Sequence, residues 1–294
     1  MRRLRPPLRI YVGTIIALGA VALCAGIGFD GSLPEVSRLA TAAVLLVVAT
    51  AAQLRPVHLT QKTKITVEDA ATFAAALLLG PAVAMLVAGG GNVLASLTRR
   101  MTWYNRAFNV AAVVLDTGAA AVVFGTIAGA AAPSIATLPA IAAAALVKLG
   151  LNSTIVDIAV SLQLRRRPLA KWWGRHRRDA AQILTLYAIG AIGSIAASDS
   201  PVMLALFVTP SALVLLGLRD TARLQARTKQ AVHVLATLIE QRDHYTYGHS
   251  RRVADYAERL AIAMHMDRSQ IDLIREAALL HDIGKVATPD AVLL

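Results

Sequence analysis

The stretch AFNVAAVVLDTGAAAVVFGTIAGA, residues 107–130, decides the fold class of most of this chain. Asp116 is its only charged residue, and nearly all the others are apolar or glycine. As a helix rising about 1.5 Å per residue, the stretch is about 36 Å long. That length exceeds the hydrocarbon core of a bilayer, which is about 30 Å thick. The stretch therefore predicts a transmembrane helix.

Comparable apolar runs lie on both sides of this stretch. The 294-residue chain is 56% hydrophobic, has a mean hydropathy of +0.57, and carries only 16% charged residues, against about 25% in soluble domains. Six runs are long enough to span a membrane, at 10–28, 36–54, 107–130, 138–163, 180–197 and 201–217. The predicted fold class is all-α, with a polytopic transmembrane helix bundle over residues 1–217.

A further apolar segment, at 65–98, is interrupted by Gly80-Pro81. Proline removes a backbone donor and clashes with the preceding helical turn, so one continuous helix is not expected. Basic residues flank the segment on both sides, at 55–64 and 99–106, which predicts that both of its ends are cytoplasmic. The segment is either a hairpin of two thin spans, the interpretation we favour, or a re-entrant loop.

The positions of Lys and Arg also predict the orientation of the bundle, because cytoplasmic loops are enriched in them. Basic clusters lie at the N-terminus and at 165–178, whereas 30–38, 131–138 and 198–200 offer only Arg38. We expect a multi-pass protein of the inner (cytoplasmic) membrane with both termini in the cytoplasm. The basic residues that give the net charge of +12 then lie at the surface of the lipid bilayer. No nucleic-acid partner is expected, because these charges lie between apolar spans.

Three ionisable residues fall inside predicted spans, namely Asp116, Lys148 and Asp157. Such residues are costly in a membrane and are candidates for a functional site. Lys148 and Asn152 share one face of their helix, whereas Asp157 points to the opposite side. Two interpretations stay open: a structural pair between Lys148 and a carboxylate on a neighbouring helix, or an intramembrane polar site for sensing or transport.

The composition changes at about Leu218, where an ordinary charged and amphipathic sequence begins. The sequence of residues 218–243 predicts a helix that continues from the last span and connects it to the C-terminal part of the chain. Its apolar positions alternate in steps of three and four residues, the spacing of a coiled-coil seam, and this seam offers an interface for a homodimer.

Two motifs lie in the last part of the chain. RDHYTYGHSRRV occupies 242–253, and LLHDIGK occupies 279–285 at the predicted end of a helix. Together they resemble the opening half of the HD-GYP family, bacterial cyclic di-GMP phosphodiesterases of the HD phosphohydrolase superfamily. The resemblance covers 228–294 and predicts a partial, all-helical HD domain there.

This resemblance implies a metal-dependent enzyme. By the family's pattern, His249, His281 and Asp282 are metal ligands, Asp282 is also catalytic, and Lys285 contacts the phosphate of the substrate, cyclic di-GMP. Imidazole and carboxylate suit Fe, Mn and similar divalent ions. A pair of such ions can activate water and stabilise both oxygens of a phosphodiester displacement, and two ions are expected in the complete domain.

Two departures from the family pattern set further expectations. Tyr245 stands where some members have a glutamate linked to a third metal, which favours a two-metal site. The chain ends at Leu294, before the later ligands and the Gly-Tyr-Pro element, so we expect this truncated chain to be inactive. The alternatives are an HD hydrolase of another nucleotide, or a non-enzymatic membrane sensor or transporter-like protein with a vestigial HD segment.

Overall fold

The computed structural model describes most of the chain, and the described residues fall into two compact units, Met1–Leu218 and Arg219–Leu294. The predicted span at 201–217 and the predicted connecting helix at 218–243 lie largely outside the described residues. The description covers 4–29, 36–54, 57–58, 64–65, 68–164, 169, 172–199, 203–204, scattered positions from 213 to 237, 248–264, 266, 268–289 and 291.

The described part of the first unit is almost entirely helical, which confirms the predicted all-α class. Its helices are α1 Pro6–Phe29, α2 Val36–Leu54, α3 Glu68–Leu78, α4 Gly80–Leu97, α5 Trp103–Ala128, α6 Leu138–Leu164 and α7 Trp172–Asp199. The exception is a short antiparallel pair between β1 (Val57–His58) and β2 (Lys64–Ile65).

Within the described residues, five helices are long and apolar enough to cross a membrane by length and composition. They correspond to α1, α4, α5, α6 with the 3-10 turn before it, and α7. The apolar part of α2, Arg38–Leu54, is slightly shorter. Four of the six predicted runs therefore coincide with helices of spanning length, and α4 adds one from the interrupted segment.

The interrupted segment forms two helices that meet at Gly80. Gly80 has a φ of +73°, in the left-handed region that glycine adopts without steric cost, and Pro81 follows in the first turn of α4, where a missing N–H costs nothing. The 11 residues of α3 extend about 16 Å, well short of a bilayer core. Whether 65–98 is a hairpin or a re-entrant segment stays a prediction.

The short helix α3 is the centre of the bundle. It packs against α2, α4, α5 and α7, and most of its side chains are buried. Gly190 of α7 faces the Ala70 carbonyl so closely that an added Cβ would lie 2.5 Å from that oxygen. Glycine at this position therefore permits the close approach of α7 to α3, as small residues do at helix contacts in membranes.

The second unit contains two described helices that pack together, α8 His249–Ala263 and α9 Arg268–Leu280, followed by a 3-10 turn, Ile283–Ala287. Ala254 and Ala261 of α8 and Ile271 and Leu279 of α9 are buried. Their spacing follows the helical period that places residues on one face. This packing fixes the N-terminus of α8 relative to the C-terminus of α9.

Candidate metal centre

The first motif histidine, His249, opens helix α8. Gly248 precedes it as the N-cap with a φ of +72°, a left-handed conformation that residues with a Cβ adopt at a cost. The Gly248 carbonyl accepts the Arg252 N–H at 3.1 Å, which closes the first helical turn. The left-handed glycine therefore sets the direction in which the helix, and with it His249, begins.

His281 and Asp282 follow the last residue of α9. The Nδ1 atom of His281 lies 2.8 Å from the carbonyl oxygen of Ala278, and because a carbonyl can only accept, Nδ1 is the donor. The chain then turns tightly, with the Lys285 N–H donating to the Asp282 carbonyl at 3.0 Å. Buried Leu279 anchors the end of the helix beside them.

These three side chains meet, although the two motifs are separated by a whole helical hairpin. One donor atom from each of His249, His281 and Asp282 lies within 4.8 Å of the others. The two imidazole centroids are 5.2 Å apart, and His281 Nε2 lies 3.3 Å from Asp282 Oδ1.

The cluster fits a divalent metal ion by its chemistry. Donation of Nδ1–H to the Ala278 carbonyl leaves the Nε2 lone pair of a neutral His281 available as a ligand, the usual arrangement of a metal-binding histidine. Two histidines and one carboxylate form a set used by catalytic zinc and by non-haem iron, with further positions left for water or substrate. His281 is 37% exposed and Asp282 21% exposed, so the cluster is open to solvent on one side.

Lys285 lies at the edge of this cluster. Its Nζ is 2.8 Å from Asp282 Oδ2, whereas Oδ1 of the same carboxylate faces His281. The two oxygens of Asp282 therefore have different neighbours, an ammonium and an imidazole. A metal at the histidines and an anion at Lys285 would lie on either side of one carboxylate.

A salt-bridge network supports the hairpin that carries the site. Arg275 of α9 contacts Glu258 of α8 and also lies 3.5 Å from Asp255 Oδ1. These side chains are partly exposed, so the network contributes modestly to stability. It links the two helices whose ends supply the candidate ligands.

The predicted intramembrane residues separate into two places. Lys148 Nζ lies 2.5 Å from Asp116 Oδ1, and both side chains are almost fully buried. Asp157 accepts instead the backbone N–H of Leu169 at 3.1 Å. The carboxylate partner that the sequence allowed for Lys148 is therefore Asp116 of α5.

Some residues of both sites had not been singled out from the sequence. Thr117 accepts a hydrogen bond from Lys148 at 2.8 Å, and its only signal was its position beside Asp116. Gly248 had a stronger signal, because a glycine directly before a helix that starts at a candidate ligand indicates a special backbone conformation.

Comparison with known proteins bears on the second unit. Residues 246–294 match the HD domain family model. The chain is 44% identical over 70 residues to 3'3'-cGAMP-specific phosphodiesterase 2 of Vibrio cholerae, covering 24% of this chain and 13% of that protein. It is 40% identical over 65 residues to a cyclic di-GMP phosphodiesterase of Thermotoga maritima, covering 22% and 18%.

A third relative, the cyclic di-GMP phosphodiesterase response regulator RpfG of Xanthomonas campestris, is 36% identical over 70 residues, which cover 24% of this chain and 18% of that protein. The chain thus spans less than a fifth of the length of these relatives. No solved structure matches it significantly. Since the family match contains His249, His281 and Asp282, the predicted resemblance is confirmed over residues 246–294, which are similar to the HD domain.

Proposed function

We propose that this chain belongs to a membrane-tethered, metal-dependent phosphodiesterase that hydrolyses a cyclic dinucleotide. The convergence of His249, His281 and Asp282 within 4.8 Å, inside the segment that matches the HD domain, is the observation that carries this proposal. A lone His-Asp pair has many structural uses. A third ligand brought from a distant helix end is much more specific.

The three candidate ligands supply a defined part of the chemistry. These residues would hold a divalent ion, which we propose to be Fe or Mn and which would supply activated water and stabilise charge on the phosphodiester oxygens. His281 is held in the tautomer that presents Nε2 by its hydrogen bond to Ala278. Asp282 contributes a negative charge that favours the ion, and its second oxygen positions the Lys285 ammonium.

Lys285 is proposed to contact the substrate phosphate. An ammonium is a compact point charge suited to a phosphate oxygen, and this one contacts Asp282 Oδ2, whereas Oδ1 faces His281. A phosphodiester would offer one oxygen to the ion and another to the ammonium. Because Lys285 is 28% exposed, it can reach a substrate that arrives from solvent.

Cyclic di-GMP is the proposed substrate, and 3'3'-cGAMP is the alternative within the same class. The names of the relatives include both specificities. The two molecules share the cyclic phosphodiester ring on which the metal and Lys285 would act and differ in one base. Discrimination between them therefore depends on contacts to the base, outside the candidate metal centre.

The helices of the first unit support a membrane anchor. Five of the described helices have the length and composition of transmembrane spans, and the basic clusters favour a cytoplasmic location for both termini. The HD segment would then face the cytoplasm, where cyclic dinucleotide signals occur. The predicted connecting helix, with its dimer seam, stays a proposal for the link between membrane and enzyme.

An assay with the protein produced from its native reading frame in the natural gene tests this function. The assay measures turnover of cyclic di-GMP and of 3'3'-cGAMP with Mn²⁺ supplied. We expect hydrolysis of one or both, abolished by Asp282→Ala and kept by Asp272→Ala, a carboxylate of α9 outside the cluster. The 294-residue chain alone should bind metal without turnover, because the candidate ligands among its described residues complete at most one ion site. Metal-loaded protein from the native frame that leaves both dinucleotides intact would contradict the proposal.

A further inference from the structure

Contacts between the helices of the first unit bring several helix ends together at one end of the bundle. The Arg99 guanidinium, just after α4, donates to the carbonyl of Gln53 in the last turn of α2. The Tyr11 ring, near the start of α1, lies 6.3 Å from the ring of Phe108 near the start of α5. The Tyr11 hydroxyl also donates to the Ile155 carbonyl in the second half of α6 at 3.0 Å. This end of the bundle therefore contains the first turns of α1 and α5 and the last turns of α2 and α4.

At this end of the bundle and at the start of α7, basic residues outnumber acidic ones in the sequence. The basic residues are Arg5, Arg9, Arg99, Arg100, Arg106, Arg175, Arg177 and Arg178, and the acidic residues of these segments and of the helices packed on them are Glu68, Asp69, Asp157 and Asp179. Within the described residues, no acidic side chain forms a salt bridge with Arg99, Arg100 or Arg106. The charges of these three arginines are therefore available to a ligand.

The three arginines lie in and beside the turn between α4 and α5, residues 98–102. Arg106 donates from Nη2 to the Ser96 carbonyl at 3.2 Å, so Arg99 and Arg106 each contact the C-terminal end of a helix. Such an end carries about half a negative charge, whereas each arginine carries a full positive charge. A guanidinium has several N–H donors, and the Arg106 Nε–H is buried without a partner among the described residues. Because Arg100 is exposed as well, the turn keeps a net positive charge and unused donors.

Apolar and aromatic side chains surround this positive charge. Leu97, the last residue of α4, and Trp103, the first residue of α5, are each 63% exposed. Leu94 lies one turn before Leu97 and is also exposed, and the Trp103 ring packs edge-on against Tyr104 at 6.0 Å between centroids. In membrane proteins, exposed leucines contact acyl chains, and tryptophan and tyrosine lie at the level of the lipid headgroups. The arginines of the turn then lie at the depth of the lipid phosphates.

We propose that the turn between α4 and α5 binds an acidic phospholipid of the cytoplasmic leaflet. The lipid phosphate accepts hydrogen bonds from the guanidinium groups of Arg99, Arg100 and Arg106, and the acyl chains lie against Leu94 and Leu97. A zwitterionic lipid fits less well, because the arginines repel its choline or ammonium group. This proposal rests on the membrane anchor of the proposed function and is independent of the phosphodiesterase activity.

Quenching of Trp103 fluorescence by brominated lipids tests the proposal. The full chain carries Trp172→Phe and Trp173→Phe, so that Trp103 is its only tryptophan, and is placed in nanodiscs of phosphatidylcholine and phosphatidylglycerol. Two samples have the same lipid ratio and differ only in which of the two lipids has brominated acyl chains. We expect phosphatidylglycerol to associate with the Trp103 site about fivefold or more tightly than phosphatidylcholine, as expected for basic residues at an anionic membrane surface.

Two variants and two salts sharpen the test. Arg100→Gln should remove most of the preference, and Arg100 forms no hydrogen bond within the described residues that the change would break. Arg38→Gln is the matched control, because Arg38 is exposed near the start of α2, at the opposite end of that helix from Gln53, and it should leave the preference unchanged. NaCl should weaken the preference by screening, and inorganic phosphate at the same ionic strength should weaken it no further.

Several outcomes would overturn the proposal. Equal association of the two lipids, equal effects of Arg100→Gln and Arg38→Gln, or displacement by inorganic phosphate beyond the effect of NaCl would each contradict the lipid site alone. Absence of quenching by either brominated lipid would contradict the membrane anchor and this proposal with it. If circular dichroism shows that the tryptophan changes prevent folding, phosphatidylglycerol retained by the purified chain provides the readout, and equal retention by the wild type and Arg100→Gln would refute the site.

Discussion

The imidazole rings of His249 and His281 lie 5.2 Å apart between centroids, although the whole of α8 and α9 separates them in the sequence. Their proximity depends on how α8 begins and on how α9 ends. A change that tilts either helix end should therefore disturb the candidate metal centre without removing a ligand.

Gly248→Ala provides such a change. Its φ of +72° is unfavourable for alanine, and the new Cβ would lie 3.2 Å from an Arg252 guanidinium nitrogen. We expect the first turn of α8 to lose about 1–2 kcal/mol, measured by hydrogen exchange of its amides, and Mn²⁺ affinity to fall about tenfold. Gly284→Ala is the matched control, because nothing lies within 4 Å of its added Cβ. Equal effects of the two substitutions would refute the role of the left-handed N-cap.

Lys285 should separate phosphate contact from metal binding. Its ammonium contacts Asp282 Oδ2 but provides no metal ligand. In the protein from its native reading frame, Lys285→Ala should keep the metal while turnover of cyclic di-GMP falls roughly 10²–10³-fold, as on loss of one electrostatic stabiliser. Lys285→Arg, which keeps the charge, should retain more activity. Elemental analysis beside the turnover assay decides the point, and equal metal loss in Lys285→Ala and Asp282→Ala would rule out the assigned roles.

The motifs carried most of the information about the candidate metal centre. The residue types of His249, His281 and Asp282 and the family resemblance led to these candidate ligands, because few kinds of side chain bind divalent ions. The Lys285–Asp282 contact and the carbonyl that orients His281 depend on the turn after α9. Side-chain rotamers in such a turn are decided by packing, which the sequence alone did not reveal.

In the bundle, the apolar runs predicted most helices of spanning length, because a run of about 20 apolar residues is typical of a transmembrane helix. The break at Gly80 was predictable from Gly-Pro chemistry. The partner of Lys148 was not, because helix periodicity gives the face on which a residue lies and leaves the neighbouring helix undetermined.

The buried pair of Lys148 and Asp116 should be strongly coupled. Lys148→Met leaves Asp116 without its ammonium and should destabilise the bundle by on the order of 3 kcal/mol. Because the double variant Lys148→Met with Asp116→Leu removes both charges, it should be more stable than Lys148→Met alone. Unfolding in detergent micelles compares the wild type, Lys148→Met, Asp116→Leu and the double variant, and losses of the two single variants that simply add in the double variant would contradict the coupling.

The basic clusters predict the membrane topology. In a Cys24→Ala background, Ala132→Cys lies just before the turn Ile135–Thr137 and should react with an impermeant thiol reagent added outside cells. Arg166→Cys, in the basic cluster at 165–178 and outside the described residues, should react only after the membrane is opened. The reverse labelling pattern would invert the proposed orientation.

Binding of Mn²⁺ to the purified chain, measured by titration and by elemental analysis, tests the central claim most directly. The wild type and Asp272→Ala should bind the ion with the same affinity. His281→Ala and Asp282→Ala should each weaken binding by roughly 100-fold or more, because each removes a donor from a three-ligand set. If all four proteins bind Mn²⁺ equally well, or none binds it, then His249, His281 and Asp282 are not a metal centre.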